Sequence, residues 1–565
     1  MHDDAEAATS ASGHPIDKML QQVFEDPAVT LQGELDLIRE ARKGIETGAA
    51  ANPQPRPGAA NGTATVRPAP RMADRLIELA RAAELFHTPD GIACADVTVA
   101  GHRETWAVRG RACGRWLARR FLEAERRPPA AEAVQQAARA LETATLAGSP
   151  ERIVHVRVGA TEGRLYIDLG DAAWRAVEID ATGWRIVDNP PLRFRRPPHL
   201  RGLPTPEPGN SIDSLRGFLN VRSDEDLVTV AAWALAALRE RGPYPVLVLA
   251  GEQGSAKSTC TAMLRALIDP SAARLRALPR DERELLAACQ DNHVLAFDNL
   301  SAIPPWSADA LCRLVSGGGF APGPAGADGC AGMVGVARPV ILNGIVDLMT
   351  RPDLADRALV LTLPGIASGE RRPEAELWAD FEAERPRLLG ALLTAVAEGL
   401  RRKPETRLAR LPRMADFALW ATACETALWP AGTFEAAYAG NRDGAACDMF
   451  EADPVASALI AFLETRDKWE GTATNLLHEL ARTAGHATRS WPGNSRAFAG
   501  RLRQLAGALR SRLEIEVGFR RQSVTRVRII RLTRNRPPSV LLTDPTWHDE
   551  LRRRRNANNQ PDRKP

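Results

Sequence analysis

The residues best equipped for chemistry lie in "VLVLAGEQGSAKST", from Val246 to Thr259, and in "HVLAFDNLS", from His293 to Ser301. The first stretch runs an apolar strand into a turn, Gly251, Glu252, Gln253, Gly254, Ser255 and Ala256, and then into Lys257, Ser258 and Thr259 at the head of an amphipathic run. A strand, a turn of converging backbone N–H groups, a lysine and a hydroxyl at a helix N-terminus are the parts needed to cradle the phosphates of ATP. Lys257 would meet the β- and γ-phosphate charge, and Ser258 would be a ligand of Mg²⁺. Ala256 stands where the P-loop pattern G-x-x-x-x-G-K-[ST] has its last glycine; its methyl group restricts the turn but leaves the N–H donors in place.

In the second stretch an apolar strand ends in Asp298, which would hold the metal beside Ser258 at the Walker B position. The next residue is Asn299, where many ATPases carry a glutamate that polarises the attacking water. An amide is no base, so Asn299 orients water, or a carboxylate such as Asp309 serves instead, or hydrolysis is slow. A third strand, "RPVILNGI", ends in Asn343 near the expected γ-phosphate. Then "RPDLADRALVLTL" sets Arg351 and Arg357 before a last strand, where a guanidinium could reach a neighbour's γ-phosphate or pair with Asp353 or Asp356 of its own subunit.

The elements that must position these groups follow from periodicity. The runs VLVLA, VLAFD, PVILN and ALVLTL alternate with helical patterns over residues 209–370, as a parallel α/β sheet requires. Before it, residues 71–208 mix a helical start with short alternating runs and read as a small α+β domain. Asp168 and Asp171 in "YIDLGDAAW" flank a glycine turn, where aspartate serves local hydrogen bonding rather than a metal. Residues 371–452 read as a helical lid or bundle. Residues 453–538 read helix, helix, helix and then two alternating runs, the order of a winged helix. Residues 1–70 hold a Pro/Ala/Gly linker with one short helical stretch, and residues 539–565 form a basic disordered tail.

With 565 residues and 44% hydrophobic side chains, the chain can bury several cores. No apolar run approaches a membrane span and the polar start is not a signal peptide, so a cytoplasmic location is expected, with no membrane partner. Eight scattered cysteines form no C-x-x-C pair and read as buried thiols. The net charge of +4 is small, but arginine gathers at the end, with about a dozen between Arg489 and Arg536 against Glu514 and Glu516. Arg496, Arg503 and Arg510 recur at sevenfold spacing and form a stripe opposite Phe498, Leu502, Leu505 and Leu509. Arg520, Arg521, Arg526 and Arg528 surround a hairpin in which Val527 and Ile529 should be buried. All seven arginines are candidate contacts for DNA phosphates.

These pieces, above all "GEQGSAKST", "VLAFDNLS", "RPVILNGI", "RPDLADRAL" and the tail from "WEGTATNLLHEL", resemble the AAA+-type ATPases of phage, plasmid and integrated-element replication proteins, related to superfamily 3 and poxvirus-type primase-helicases. The resemblance covers about residues 75–532. It implies that Lys257 is the Walker A lysine, Asp298 the Walker B acid, Asn343 the sensor and Arg357 the finger, in a hexameric ring working on DNA. Two features depart from it. The segment from Ser316 to Ala337 has no Lys or Arg and Phe320 as its one aromatic, a poor grip on a phosphate backbone. Residues 71–208 show no primase constellation. The leading expectation is an ATP-hydrolysing, DNA-dependent, helicase-like motor of a mobile element. The alternative is a nucleotide-switched DNA-binding or scaffolding protein with slow turnover, and a small-molecule phosphotransferase comes third because the basic C-terminal module would be left unexplained.

Overall fold

In the strand Val246–Gly251 every residue is buried, the pattern of a strand covered on both faces. The computed structural model describes residues 71–209, 211–320, 334–344, 351–484, 491–521 and 528–535. The expected linker and basic tail, most of the uncharged 316–337 segment, and Arg526 with Val527 lie outside the described residues. The chain divides into two compact units, Met1–Ile153 and Val154–Pro565.

In the first unit, helix α1 (Met72–Leu79) precedes an antiparallel sheet of β1 (Glu84–His87), β2 (Ala93–Val99) and β3 (His102–Ala107), followed by α2 (Arg111–Glu125) and α3 (Ala131–Gly148). The helical start ends at Leu79, and Glu84–His87 instead pairs with Ala93–Asp96. Leu76, Val97, Leu117, Phe121, Val134 and Leu141 form this unit's core.

The second unit opens with β4 (Val154–His155), β5 (Val158–Thr161), β6 (Arg164–Asp168), β7 (Ala176–Asp180), β8 (Gly183–Val187) and β9 (Arg193–Phe194). Strands β5 to β8 form an antiparallel meander, while β4 pairs with β9. Asp168 is buried and ion-paired with Arg196, and Asp171 pairs with Arg175, so both acids are committed locally.

The sequence places a boundary near residue 208, and the division into compact units falls at Ile153. The reason is a shared core. Val158, Ile167, Val177 and Ile179 of the meander join one hydrophobic cluster with the central sheet and its helices. Arg157, fully buried, also donates from Nε to Asp269 Oδ1 at 3.0 Å, and Asp269 caps the helix that follows the 251–256 turn. Backbone N–H groups of His293 and Val294 donate to the other oxygen of Asp269, at 2.9 and 3.0 Å.

The central part contains α4 (Asp224–Ala237), β10 (Val246–Gly251), α5 (Lys257–Ile268), α6 (Glu282–Asp291), β11 (Leu295–Leu300), α7 (Pro305–Ser316), the short pair β12 (Gly319–Phe320) and β13 (Val334–Gly335), β14 (Val340–Gly344), α8 (Pro352–Ala355) and β15 (Ala358–Leu363). Four parallel strands lie in the order β11-β14-β10-β15. Alternation sends Leu247, Leu249, Ile341 and Leu361 into the core shared with α4 and α5, and Val246, Val248, Phe297 and Leu342 into the core under α6 and α7. One further parallel bridge, between Arg276 and Phe297, widens the β11 edge.

Helices α9 (Glu374–Arg402), α10 (Ala415–Glu425) and α11 (Thr433–Ala452) follow. Gly390 of α9 lies so close to the 207 backbone that a Cβ would sit 1.8 Å from Glu207 O. The C-terminal module runs α12 (Pro454–Leu463), β16 (Lys468–Thr472), α13 (Ala473–Ala484), α14 (Ser495–Leu513), β17 (Ile515–Arg521) and β18 (Arg528–Arg534), with the sheet ordered β16-β18-β17. Strand β16 was not anticipated from the sequence.

Candidate functional site

Strand β10 delivers the chain to Gly251, whose φ of +153° and surroundings require glycine: a Cβ would lie 2.7 Å from both Leu363 O and Ser255 Oγ. Gly254 has φ +84°. Ser255 is buried and donates to Glu252 O at 2.9 Å, closing the turn on itself. From the side, Asn220 Nδ2 donates to Ser255 O at 3.2 Å and to Pro364 O at 2.6 Å.

Ala256 adopts the left-handed region, φ +59° and ψ +24°, as N-cap of α5. It therefore takes the conformation for which a glycine would be cheapest. No side chain caps this helix end, so the first-turn N–H groups of α5 are donors suited to an anion.

The Lys257 ammonium folds back over the turn, donating to Gly251 O at 2.9 Å and Glu252 O at 2.6 Å. Ser258 Oγ donates to Asp298 Oδ1 at 2.7 Å. This brings together the two expected metal ligands, one from the helix that follows β10 and one from β11, strands that are not neighbours in the sheet. An irregularity in β11 makes it possible: register with β14 shifts between Phe297 and Leu300, and Asn299 takes φ +57°. Glu252 and Gln253, both exposed, complete the turn, and Thr259 lies half-buried in the first turn of α5.

Asn343 is buried, and its amide is engaged at both ends. Its Oδ1 accepts from Asn299 N at 2.9 Å, and its Nδ2 donates to Thr261 Oγ1 at 2.8 Å. Thr261 in turn donates to Lys257 O at 2.8 Å. Asn343 thus fastens the end of β11 to α5 rather than facing an open γ-phosphate position.

Arg357 lies at the far end of the sheet. Val246 N, at the start of β10, donates to Arg357 O at 2.9 Å, whereas the turn begins where β10 ends. The length of β10, roughly 17 Å at ~3.3 Å per residue, separates Arg357 from its own turn. Its Nη1 donates to Asp353 O at 2.7 Å. Arg351 binds Asp309 at 2.7 Å and Asp353 at 2.9 Å. Asp309 is therefore held by a guanidinium, in a pairing that competes with service as a base. Burial favours the neutral acid at Asp353, but the Arg351 guanidinium holds its carboxyl below the usual range.

Sequence reasoning missed three contributors. Thr261 carried a faint signal, a hydroxyl one turn beyond Lys257 in an otherwise apolar run. Asn220 and Arg371 carried none. The Arg371 guanidinium lies over the turn, with Nη2 3.4 Å from where a Gly254 Cβ would sit.

In the C-terminal module Phe498, Leu502, Leu505 and Leu509 are fully buried, and Arg496, Arg503 and Arg510 are exposed on the other side of α14. Arg503 stacks over Phe519, 4.8 Å from the ring centroid. The hairpin alternation differs from expectation: Ile530 and Leu532 are the buried residues of β18, and Ile529 is half-buried. Strand β18 alternates so that Ile530 and Leu532 join the core formed by the module's helices, and β16 pairs along its other edge. Arg521 and Arg528 are exposed and opposite one another. Arg520 is paired with Glu470 of β16 at 2.8 Å, which also takes Arg531.

Fold and site together define an α/β protein whose parallel sheet carries a hydroxyl–carboxylate pair beside an uncapped helix N-terminus. Two family models match this chain: the actinomycete integrative conjugative element replication protein over residues 212–443, and the C-terminal domain of the same element's RepA over residues 455–546. They span the parallel-sheet core and the C-terminal module, and support a replication protein of a mobile element. No curated protein matches. The A-form apo structure of the NrS-1 C-terminal region aligns with a TM-score of 0.34 at 10% identity, covering 81% of this chain and 97% of that one. A second structure of that region aligns with the same score and identity over 80% of this chain. At that score neither bears on this chain. Among the described residues no group of three or more His, Cys, Asp or Glu is placed to hold a metal, and no helix is long and apolar enough to cross a membrane.

Proposed function

We propose that this chain is a P-loop ATPase that drives replication of a mobile element as a DNA-dependent, helicase-like motor, with a winged helix at its C-terminus. The observation that carries the proposal is the 2.7 Å contact of Ser258 Oγ with Asp298 Oδ1 beside the uncapped start of α5. Ser258 and Asp298 would hold a Mg²⁺, and the α5 amides with Lys257 would hold the phosphates. Mg²⁺ would supply charge neutralisation on the β- and γ-oxygens. Lys257, now on loop carbonyls, would transfer its hydrogen bonds to phosphate oxygens. The family matches favour replication as the use of the energy, and helix–strand–helix–helix–hairpin order in the tail favours a winged helix.

A second reading, a nucleotide-switched assembly factor, is favoured by Asn299. Its side chain cannot take a proton from water, and Asp309, the other carboxylate considered, is paired with Arg351. Phosphate release from ATP, measured with and without single-stranded DNA, separates the two readings. A motor is stimulated severalfold by DNA and loses turnover at least ~100-fold in Lys257→Ala. Binding without stimulated turnover would favour the switch, and full turnover in Lys257→Ala would overturn the P-loop assignment.

A further inference from the structure

Neither family match reaches the first unit, residues 71–153. That unit carries an open cleft of about 760 Å³ between the β2–β3 turn, β3 and helix α2. Helix α2 lines it with Arg111, Arg115 and Arg119, one every fourth residue and so stacked along one face. Arg109 and Arg120 line it too, as do the half-buried indoles of Trp106 and Trp116.

Two of these arginines, Arg111 and Arg115, are not explained by pairing within the fold. Arg119 is paired with Glu123 at 3.1 Å and Arg109 with Glu142 at 3.5 Å. Among the described residues, Arg111 and Arg115 have no carboxylate partner. The Arg120 guanidinium lies over Trp116, 5.6 Å from the ring centroid, and its buried Nε has no hydrogen-bond partner there. Like charges four residues apart oppose a helix, and Arg111 at its first position also opposes the helix dipole. An anion in the cleft would offset the repulsion along the helix and give the Arg120 Nε a partner, working against Glu104 and Glu123, which also line it.

We infer that this cleft binds single-stranded nucleic acid, with phosphates against Arg111 and Arg115 and unpaired bases against the exposed parts of the Trp106 and Trp116 indoles. Arginines along a groove with interleaved aromatics are the means by which proteins hold a strand without reading its sequence. The volume is that of a small-molecule pocket, enough for about two nucleotides.

The test uses the full-length protein with a fluorescein-labelled oligothymidylate strand containing 5-iododeoxyuridine. Ultraviolet cross-linking followed by peptide mapping should place adducts on the peptides bearing Trp106 or Trp116. Arg111→Ala/Arg115→Ala should remove those adducts and lower affinity at low salt about tenfold, with the log–log salt slope shrinking by about 1.4. Arg139→Ala, an exposed charge outside the cleft, should change neither. DNA-free ATP turnover of the double variant should match the parent, which separates this site from the proposed nucleotide site. Adducts confined to the C-terminal module, or an unchanged affinity and slope in a double variant that melts like the parent, would overturn the inference.

Discussion

Ala256 concentrates the conflict between sequence and geometry at a single residue. The turn needs a left-handed residue immediately before Lys257, and the chain supplies an alanine at φ +59°. The Cβ costs on the order of 1 kcal/mol in that region, partly offset because glycine would have more freedom in the unfolded chain. Ala256→Gly should therefore stabilise the protein by about 0.5 kcal/mol while leaving nucleotide binding intact, because it deletes a methyl and no donor. Chemical denaturation reads the stability, and a fluorescent ATP analogue the binding. A destabilised variant would mean that the methyl group, which packs against the central core, contributes more than its backbone strain costs. Asn299 also lies at positive φ, but as asparagine it tolerates that region better, and its N–H is received by Asn343.

At the scale of elements, the central strands were legible because burial on both faces leaves an unbroken apolar run. Partnerships were not. Asn343 reads as a polar strand end, and nothing local foretells that it bonds residues 44 and 82 positions away. Glu470 is 50 residues from Arg520, and the five-residue strand that carries it is too short and polar for periodicity to detect. The division at Ile153 was not legible for a related reason: alternation shows that β5–β8 are half-buried but not what covers them. His293, at the junction of α6 and β11, is buried, its ring donates to Ala237 O at 2.6 Å, and desolvation pushes its pKa down to about 4. The unfolded chain binds that proton at about pH 6.5, so the stability is full above that value and is lost as pH falls toward 4. About 2 kcal/mol should be gone by pH 5. In His293→Gln, which keeps a donor but does not titrate, the urea midpoint should fall less between pH 7 and pH 5 than in the parent. Equal losses in both proteins would show that His293 does not carry this dependence.

For the whole molecule, the decisive geometry is the distance between the two ends of the parallel sheet. The turn with Lys257, Ser258 and Asp298 is at the carboxyl ends of the strands, and Arg357 precedes β15 at the opposite ends. No rotamer of Arg357 spans the length of β10, so any action on a phosphate must be on one held by a neighbouring copy. A second copy would then complete each site, and the two halves can be inactivated in different subunits. Arg357→Ala should bind ATP normally yet hydrolyse it at least ~100-fold more slowly, within the range for removal of a finger. Lys257→Ala should be silent for want of its phosphate cation. Mixed in equal amounts and allowed to exchange, the two should recover up to about a quarter of parental turnover, the share of randomly formed interfaces that join an intact turn to an intact finger. Recovery should rise with protein concentration as assembly proceeds. If the mixture is no more active than its components, or if Arg357→Ala alone turns over at the parental rate, Arg357 serves only to hold Asp353 and the end of α8 in place.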